Sequence, residues 1–404
     1  MRILISGAGI AGPTLAWWLY RFGFQPTIVE KAPALRAGGY VIDFWGAGYE
    51  IAARMGLTAR LQQVGYHVRE VRIVNRHGRR ISGFGTDAFW RNTGGQFVSL
   101  GRGDLAAAIC SLIEGKIEMR FGDSVSGIVE REHDVVVDFN SGLRREFDLV
   151  VGADGLHSGV RELAFGPINR FEKYLGCKVA AFTAQDYLPR DEDVYMLHSQ
   201  VGGQVARFSM RGNRTMFLFT LADQNPAIGT LEDQKRLLHA RFGNSGWECP
   251  QILRALDAAD ELYFDRVSQI RMGSQGGAWS RGRVVLLGDA ASCVSLLAGQ
   301  GSALAMTAAF LLATELRNCA GDYRAAFRGY EERFAAFVLR KQKSAVRYAG
   351  AFVPRSRASV LFWNLMMRLM NLNLVADWVV KGDLADHIEL PAVTAPAGNA
   401  SAIS

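Results

Sequence analysis

The chain opens on Arg2–Ser6, a short run dominated by isoleucine and leucine that stops at a glycine, and apolar residues then recur at helical spacing over Thr14–Phe22 before a second short run, Pro26–Glu30. Strand, helix and strand in that order predict a βαβ unit and hence a parallel sheet. Between Val68 and Ser99 strand-like runs are split by Gly78, Gly83, Gly85 and Gly94-Gly95, and Arg102–Glu114 then reads as a helix. Strands are predicted over Ile117–Phe121, Ser124–Glu130, Val135–Phe139 and Glu146–Val151. From about Phe171 to Met272 apolar and polar residues alternate, as in Val194–Leu197, Gln204–Met210 and Thr215–Leu221, which is the pattern of a largely antiparallel sheet. Arg283–Leu287 is nearly all aliphatic, as a parallel strand buried on both faces is, and long helices are predicted over Gly301–Leu316 and Asp322–Tyr348.

After Pro354, Trp363, Met366, Met367 and Met370 fall at i, i+3, i+4 and i+7 within Ser359–Val380, the stripe of an amphipathic helix. Arg368, Asn371, Asn373 and Asp377 interrupt the apolar residues, so the helix is expected to pack on the body, with peripheral membrane contact the lesser alternative. The whole reads as an α/β chain. Residues 1–67, 97–170 and 273–350 form one discontinuous unit around a parallel sheet, and 68–96 with 171–272 form a second, mixed or antiparallel one. Residues 355–390 supply the C-terminal helix, and the small-residue stretch 391–404 is expected to be disordered.

Composition narrows the function. With 404 residues and 49% apolar content the chain can bury large cores, which excludes a disulfide-stapled scaffold and a disordered chain. The five cysteines, at 110, 177, 249, 293 and 319, form neither CxxC nor metal-ligand spacing, and point to buried thiols in a reducing, cytoplasmic compartment. A net charge of +7 is scattered apart from Arg76-His77-Gly78-Arg79-Arg80, which reads as a solvated hairpin tip, so no nucleic-acid partner is expected. Gly7, Gly9, Gly12 and Pro13 interrupt the first apolar run too early for a signal peptide. Ala290–Ala313 has no formal charge, but its glycines and hydroxyls make it a buried helix behind a glycine loop. None of the seven histidines shows ligand spacing, and no metal site is expected.

Three constellations carry chemistry. Gly7-Ala8-Gly9-Ile10-Ala11-Gly12 is a GxGxxG between a predicted strand and a predicted helix, and Glu30 ends the next strand eighteen residues beyond the last glycine. The first glycine permits the turn, the second lets backbone approach a pyrophosphate, and the third lets helix and strand pack closely. Backbone N–H groups and the helix dipole then face the phosphates. Glu30 suits the free hydroxyls of an adenosine ribose and repels a 2′-phosphate, so the site is expected to hold FAD or NAD, not NADP. Asp154-Gly155, after Leu149–Val151, taken by itself is equally a turn followed by a helix cap. Gly288-Asp289 puts a carboxylate at a strand end, and Gly299-Gln300-Gly301-Ser302 puts a glycine loop at a helix N-terminus, where developing negative charge is stabilised.

In this order, the three motifs resemble those of the group A flavoprotein monooxygenases of the para-hydroxybenzoate hydroxylase type, in which GxGxxG, "DG" and "GD" clasp one FAD. The resemblance covers about residues 1–350 and implies a Rossmann-type FAD-binding domain with a second substrate domain. It places Arg102 beside the flavin and adds Lys31, Arg36 and Gly39 to the cofactor-binding set. Gly38-Gly39-Tyr40-Val41-Ile42-Asp43 looks most like the tetracycline-inactivating branch. Where the family usually has GDAAH with prolines before GQG, this chain has Ser292 and then Val294, Leu296 and Leu297 with no proline. The resemblance implies NADPH or NADH as reductant, O2 as co-substrate, and hydroxylation of an aromatic or polyketide-like small molecule through a flavin C4a-hydroperoxide. Baeyer–Villiger or epoxidising use of the same fold, and a flavin-binding scaffold without hydroxylation, stay open. A disulfide reductase would need a redox cysteine pair, and a flavin halogenase a WxWxIP segment; neither occurs. Substrate is expected between the flavin and the middle sheet, where period two puts Arg207, Ser209 and Arg211 on one face and Phe217 and Phe219 together on the next strand.

Overall fold

The computed structural model describes residues 1–35, 40–273, 278–296, 299–372, 375, 377 and 388–392, the side chains of 347–352 excepted. A six-stranded sheet runs in the order 280–281, 284–286, 149–152, 2–6, 25–30, 118–121. All its neighbours pair in parallel except Ser280–Arg281, which pairs antiparallel with Val284–Leu286. The aliphatic runs Ile3–Ile5, Val150–Val151 and Val284–Leu286 are buried, which is why they carry no polar alternation. The expected strand at 146–151 is two strands, Arg144–Phe147 and Leu149–Gly152, because the first belongs to a separate three-stranded antiparallel sheet with Val125–Glu130 and Val135–Phe139.

Helices Ala11–Arg21 and Gly301–Asn318 pack on this sheet, and every residue of the second from Ala303 to Leu316 is buried. A helix apolar on all sides must be interior, which accounts for the uncharged stretch in the sequence. Its crossing with Gly46–Arg54 is close: a Cβ on Gly48 would lie 2.5 Å from the Ala303 Cα. Among the described residues no helix is long and apolar enough to cross a membrane.

The second large sheet has seven strands in the order 263–270, 172–185, 214–222, 203–209, 194–200, 70–74, 80–85. Its hairpin tip at Asn75–Arg79 is tied by the Asn75 carboxamide, which accepts from the N–H groups of His77 and Arg79. Two helices that the hydrophobic pattern does not announce, Leu231–Phe242 and Cys249–Asp257, cover one face of this sheet. The first starts at a capping box in which the Thr230 hydroxyl accepts from the Asp233 N–H and the Asp233 carboxylate accepts from Thr230. The C-terminal helix spans Arg357–Leu369 and lies along the edge strand Arg80–Gly85; Arg368 donates to the Ile81 carbonyl and Asn371 to that of Gly83. The expectations for 373–387 fall largely, and those for 393–404 entirely, outside the described residues.

Candidate functional site

Three loops leave the same end of three adjacent parallel strands, 2–6, 149–152 and 284–286, and meet. Gly7 has φ +110°, and a Cβ there would fall 2.5 Å from the Ala153 carbonyl oxygen and 2.9 Å from the Asp154 Cα. A Cβ on Gly12 would lie 2.0 Å from the Gly7 carbonyl oxygen, so helix and strand touch through backbone. Gly288, with φ +60°, faces Ala11, whose Cβ is 3.2 Å from the position of an added methyl. Gly9 differs: a Cβ there meets only the Arg102 Nη2, at 3.8 Å, among the described residues. The first motif is therefore packed solid at its first and third glycines and open at its second.

Helix Ala11–Arg21 begins at Ile10 with no side-chain cap and no acid in its first turn. Helix Gly301–Asn318 begins at the buried Gln300, after Gly299 at φ +66°, also without a side-chain cap or an acid. Both leave N-terminal N–H groups and positive dipole ends for an anion. Glu30 ends its strand half-buried, its carboxylate accepting from the N–H of Ala8 at 2.8 Å and of Ala32 at 2.9 Å. A carboxylate has about four acceptor sites, so two bonds leave it able to receive ribose hydroxyls. Lys31 follows, exposed; Arg36 and Gly39 lie outside the described residues.

After the Asp154-Gly155 turn Ser158 caps helix Gly159–Phe165, its hydroxyl accepting from the Arg161 N–H at 2.9 Å, while the Asp154 carboxylate accepts from the Ser158 hydroxyl at 2.5 Å and the Val160 N–H at 3.1 Å. Gly155 makes the turn with φ +81°. Arg161, 1% exposed, donates to the carbonyls of Leu156 at 2.6 Å and Ala290 at 3.0 Å, tying the second loop to the third. Burial pushes the Arg161 guanidinium down from its ordinary value, against the Asp154 charge. Arg161 and Ala290 are 129 residues apart in the chain, so no local pattern announces this tie.

Asp289 follows Gly288 at the end of the third strand; burial raises its carboxyl and the Arg102 charge opposes the rise. The exposed Arg102 begins helix Arg102–Ser111, and its N–H donates to the Tyr40 carbonyl at 3.1 Å. The Tyr40 hydroxyl is pushed up to about 12, by burial first, with Arg102 opposing and Asp289 reinforcing. Tyr263 faces it from the seven-stranded sheet, ring centroids 6.0 Å apart. Among the described residues there is no group of three His, Cys, Asp or Glu side chains arranged to hold a metal.

The residues expected on the substrate side do not gather at the three loops. Arg207 and Phe217 are cross-strand partners, and both, with Phe219, point toward helices Leu231–Phe242 and Cys249–Asp257, away from the three loops. Phe217 and Phe219 are fully buried against Phe182 and Phe242. Arg207, 1% exposed, is held by Asp191 and by the Glu248 carboxylate at 3.3 Å. Arg211 lies past the strand end and turns the other way, donating to the carbonyls of Val64 and Gly65 with its guanidinium 4.5 Å from the Tyr66 ring centroid. The face turned to the loops carries Tyr263, Ala181, Leu218, Ala206 and Leu197 in one cross-strand row. Leu218 shares an apolar cluster with Leu296 of the third loop. Period two says which residues share a face and not which face is covered; the two unanticipated helices decide that.

Residues 1–324 match the family described as "FAD binding domain". An uncharacterised protein of Mycobacterium tuberculosis is 36% identical over 346 residues, 84% of this chain and 91% of that protein. A flavin-dependent monooxygenase of an unknown prokaryotic organism is 35% identical over 356 residues, 87% of this chain and 90% of its own length. The crystal structure of the tetracycline destructase Tet(55) superposes with a TM-score of 0.82 at 31% identity, covering 97% of this chain and 98% of the other. With a family match over most of its length and relatives of this similarity, the chain belongs to the FAD-binding flavin-dependent monooxygenases.

Proposed function

We propose that the three loops hold one FAD, fed by NADPH or NADH, for oxygen transfer to an aromatic or polyketide-like small molecule. The observation that carries the reading is the open space at Gly9 beside two uncapped helix N-termini and the Glu30 carboxylate. Glu30 takes the adenosine ribose, the N–H groups at Gly9, Ile10, Ala11 and Gly12 face the pyrophosphate, and Arg102 and Asp289 flank its path. Lys31 and the Asp154-Gly155 turn complete the adenosine and ribityl side, and Arg36 and Gly39 stay in the cofactor-binding set on the family resemblance alone. Gly299, Gln300, Gly301 and Ser302 present their N–H groups to the ring end, where negative charge collects on reduction.

When bound, FAD supplies the hydride acceptance and oxygen activation; the chain supplies position, field and dryness. Substrate lies on the Ala181, Leu218, Ala206 row, between Tyr40 and Tyr263 on one side and the third loop on the other. Both phenols stay neutral at physiological pH, since burial raises Tyr40 and Tyr263 alike. They therefore orient a planar substrate as hydrogen-bond partners and not as anions.

The test is a reconstitution with FAD followed by anaerobic mixing with NADPH or NADH, across a panel of phenols, polyketides and quinolines. Bleaching of the visible flavin band that one panel member accelerates, with an oxygenated product under air, is the expected result. Flavin that binds but is bleached by neither nicotinamide with any member would favour a non-hydroxylating scaffold.

A further inference from the structure

The segment between Asp289 and the Gly299 turn has no proline, and two buried glutamines from elsewhere in the chain hold its backbone. Gln269, on strand Tyr263–Ile270, is 0% exposed and Gln342, on helix Tyr323–Phe352, is 4% exposed. Gln269 donates through Nε2 to the carbonyls of Val294 and Gln342, each at 2.8 Å. Gln342 donates through its own Nε2 to the carbonyls of Ile270 at 2.8 Å and Cys293 at 3.1 Å. The Ile270 N–H also reaches the Cys293 carbonyl, at 3.1 Å, and the Cys293 thiol reaches the Ser268 carbonyl at 3.5 Å. Arg271 locks the first carboxamide by donating to Gln269 Oε1 at 2.6 Å. Two successive carbonyls of the third loop are thus bonded by carboxamides from two different elements, each of which also donates to backbone of the other's element.

Removing the Gln269 carboxamide takes away the side-chain donor to the Val294 carbonyl, and removing that of Gln342 leaves the Cys293 carbonyl with the Ile270 N–H alone, so the pair favours one geometry. Directly after it, Ser295 takes φ +134°, a conformation that a serine holds only where its neighbours are fixed. We propose that Gln269 and Gln342 are positioning residues that set Cys293 and Val294, and through them the distance between Asp289 and the Gly299–Ser302 turn. In this way the sheet carrying the substrate face and the long helix both register the ring end of the site. The inference rests on the reading that this turn faces the flavin ring.

The experiment uses the full chain as wild type, Gln342→Met, Gln269→Met and the pair, which keep side-chain length and remove the donors. The control is Leu238→Ala, a fully buried residue under the far face of the sheet. Each is titrated with FAD, and the position and vibronic structure of the bound visible band are recorded beside the melting temperature. H2O2 released per NADPH consumed, by NADPH + H+ + O2 → NADP+ + H2O2, is read in the same preparations with the panel member that most accelerates bleaching present, so that oxygenation and H2O2 release compete. Expected are stoichiometric FAD binding, a blurred or shifted band and a several-fold rise in H2O2 yield for both single variants, with the double no worse than either. Leu238→Ala is expected to lower the melting temperature while leaving band and yield as in wild type. Wild-type spectra and yields in both glutamine variants, or the same change in Leu238→Ala, would overturn the proposal. If a methionine variant fails to fold, Gln269→Asn and Gln342→Asn are read in the same assay, and an unchanged band and yield there overturns it. Failure of wild type to bind FAD would instead strike the underlying reading.

Discussion

The two glycines at the ends of Gly9–Gly12 separate cofactor binding from folding. Gly9 does not take a left-handed φ, and among the described residues a methyl on it meets only the Arg102 Nη2 at 3.8 Å. Gly9→Ala is therefore expected to leave the cofactor-free protein as stable as wild type, or to stabilise it by about 0.4–1 kcal/mol through the unfolded chain. The same methyl would occupy the space that the proposed site gives to the pyrophosphate. Losing one charge-assisted bond at about 1.5–3 kcal/mol gives a ~10- to 160-fold fall in FAD affinity. Gly12→Ala behaves otherwise. Its Cβ would stand 2.0 Å from the Gly7 carbonyl oxygen, so helix and strand must part, at an overpacking cost of about 1–3 kcal/mol or more before any cofactor is added. The assay pairs thermal unfolding of the cofactor-free variants with FAD titration by fluorescence quenching. A Gly9→Ala protein that binds FAD as wild type does, or that unfolds as early as Gly12→Ala, would refute the reasoning.

Four further outcomes follow from particular contacts. Glu30→Gln, which would weaken the charged acceptance proposed for the ribose, is expected to reduce FAD affinity by about 10- to 100-fold in the same titration. Arg161→Met leaves the carbonyls of Leu156 and Ala290 without their buried donor and is expected to destabilise the cofactor-free chain by about 2–5 kcal/mol, read as a denaturant midpoint shift. Burial raises the Asp289 carboxyl, with Arg102 opposing, so the folded chain holds that proton more tightly than the unfolded chain and stability falls as pH rises past the ordinary aspartate value of 3.8. Asp289→Asn is then expected to melt later than wild type at pH 7, with the gap closing below that value, while losing FAD affinity. Phe217→Leu is expected to cost about 1 kcal/mol of stability with KM unchanged, whereas Leu218→Ala, on the loop-facing side, is expected to raise KM; the reverse pattern would return substrate to the other face.

What was legible in the sequence is what local chemistry decides. Gly7 and Gly12 advertise a helix and strand in backbone contact, and the alternation over 194–222 advertises a sheet, because both are set by near neighbours in the chain. The hidden parts depend on which distant surface covers which. Arg207 looked like a site residue because nothing in its own strand reveals Asp191 and Glu248 beside it. The helix Leu231–Phe242 is polar over much of its length, so its buried Leu238 and Phe242 leave only a weak stripe. Tyr263 meets Tyr40, and Gln269 meets Gln342, only once the seven-stranded sheet is laid against the loops.

A crystal structure of the chain with FAD tests the central claim most directly. Ribose hydroxyls about 3 Å from the Glu30 carboxylate, a pyrophosphate over Gly9–Ile10 and the ring end against Gly299–Ser302 are the expected result. FAD found anywhere else, or density that leaves the space over Gly9 to solvent while flavin is bound, would contradict it.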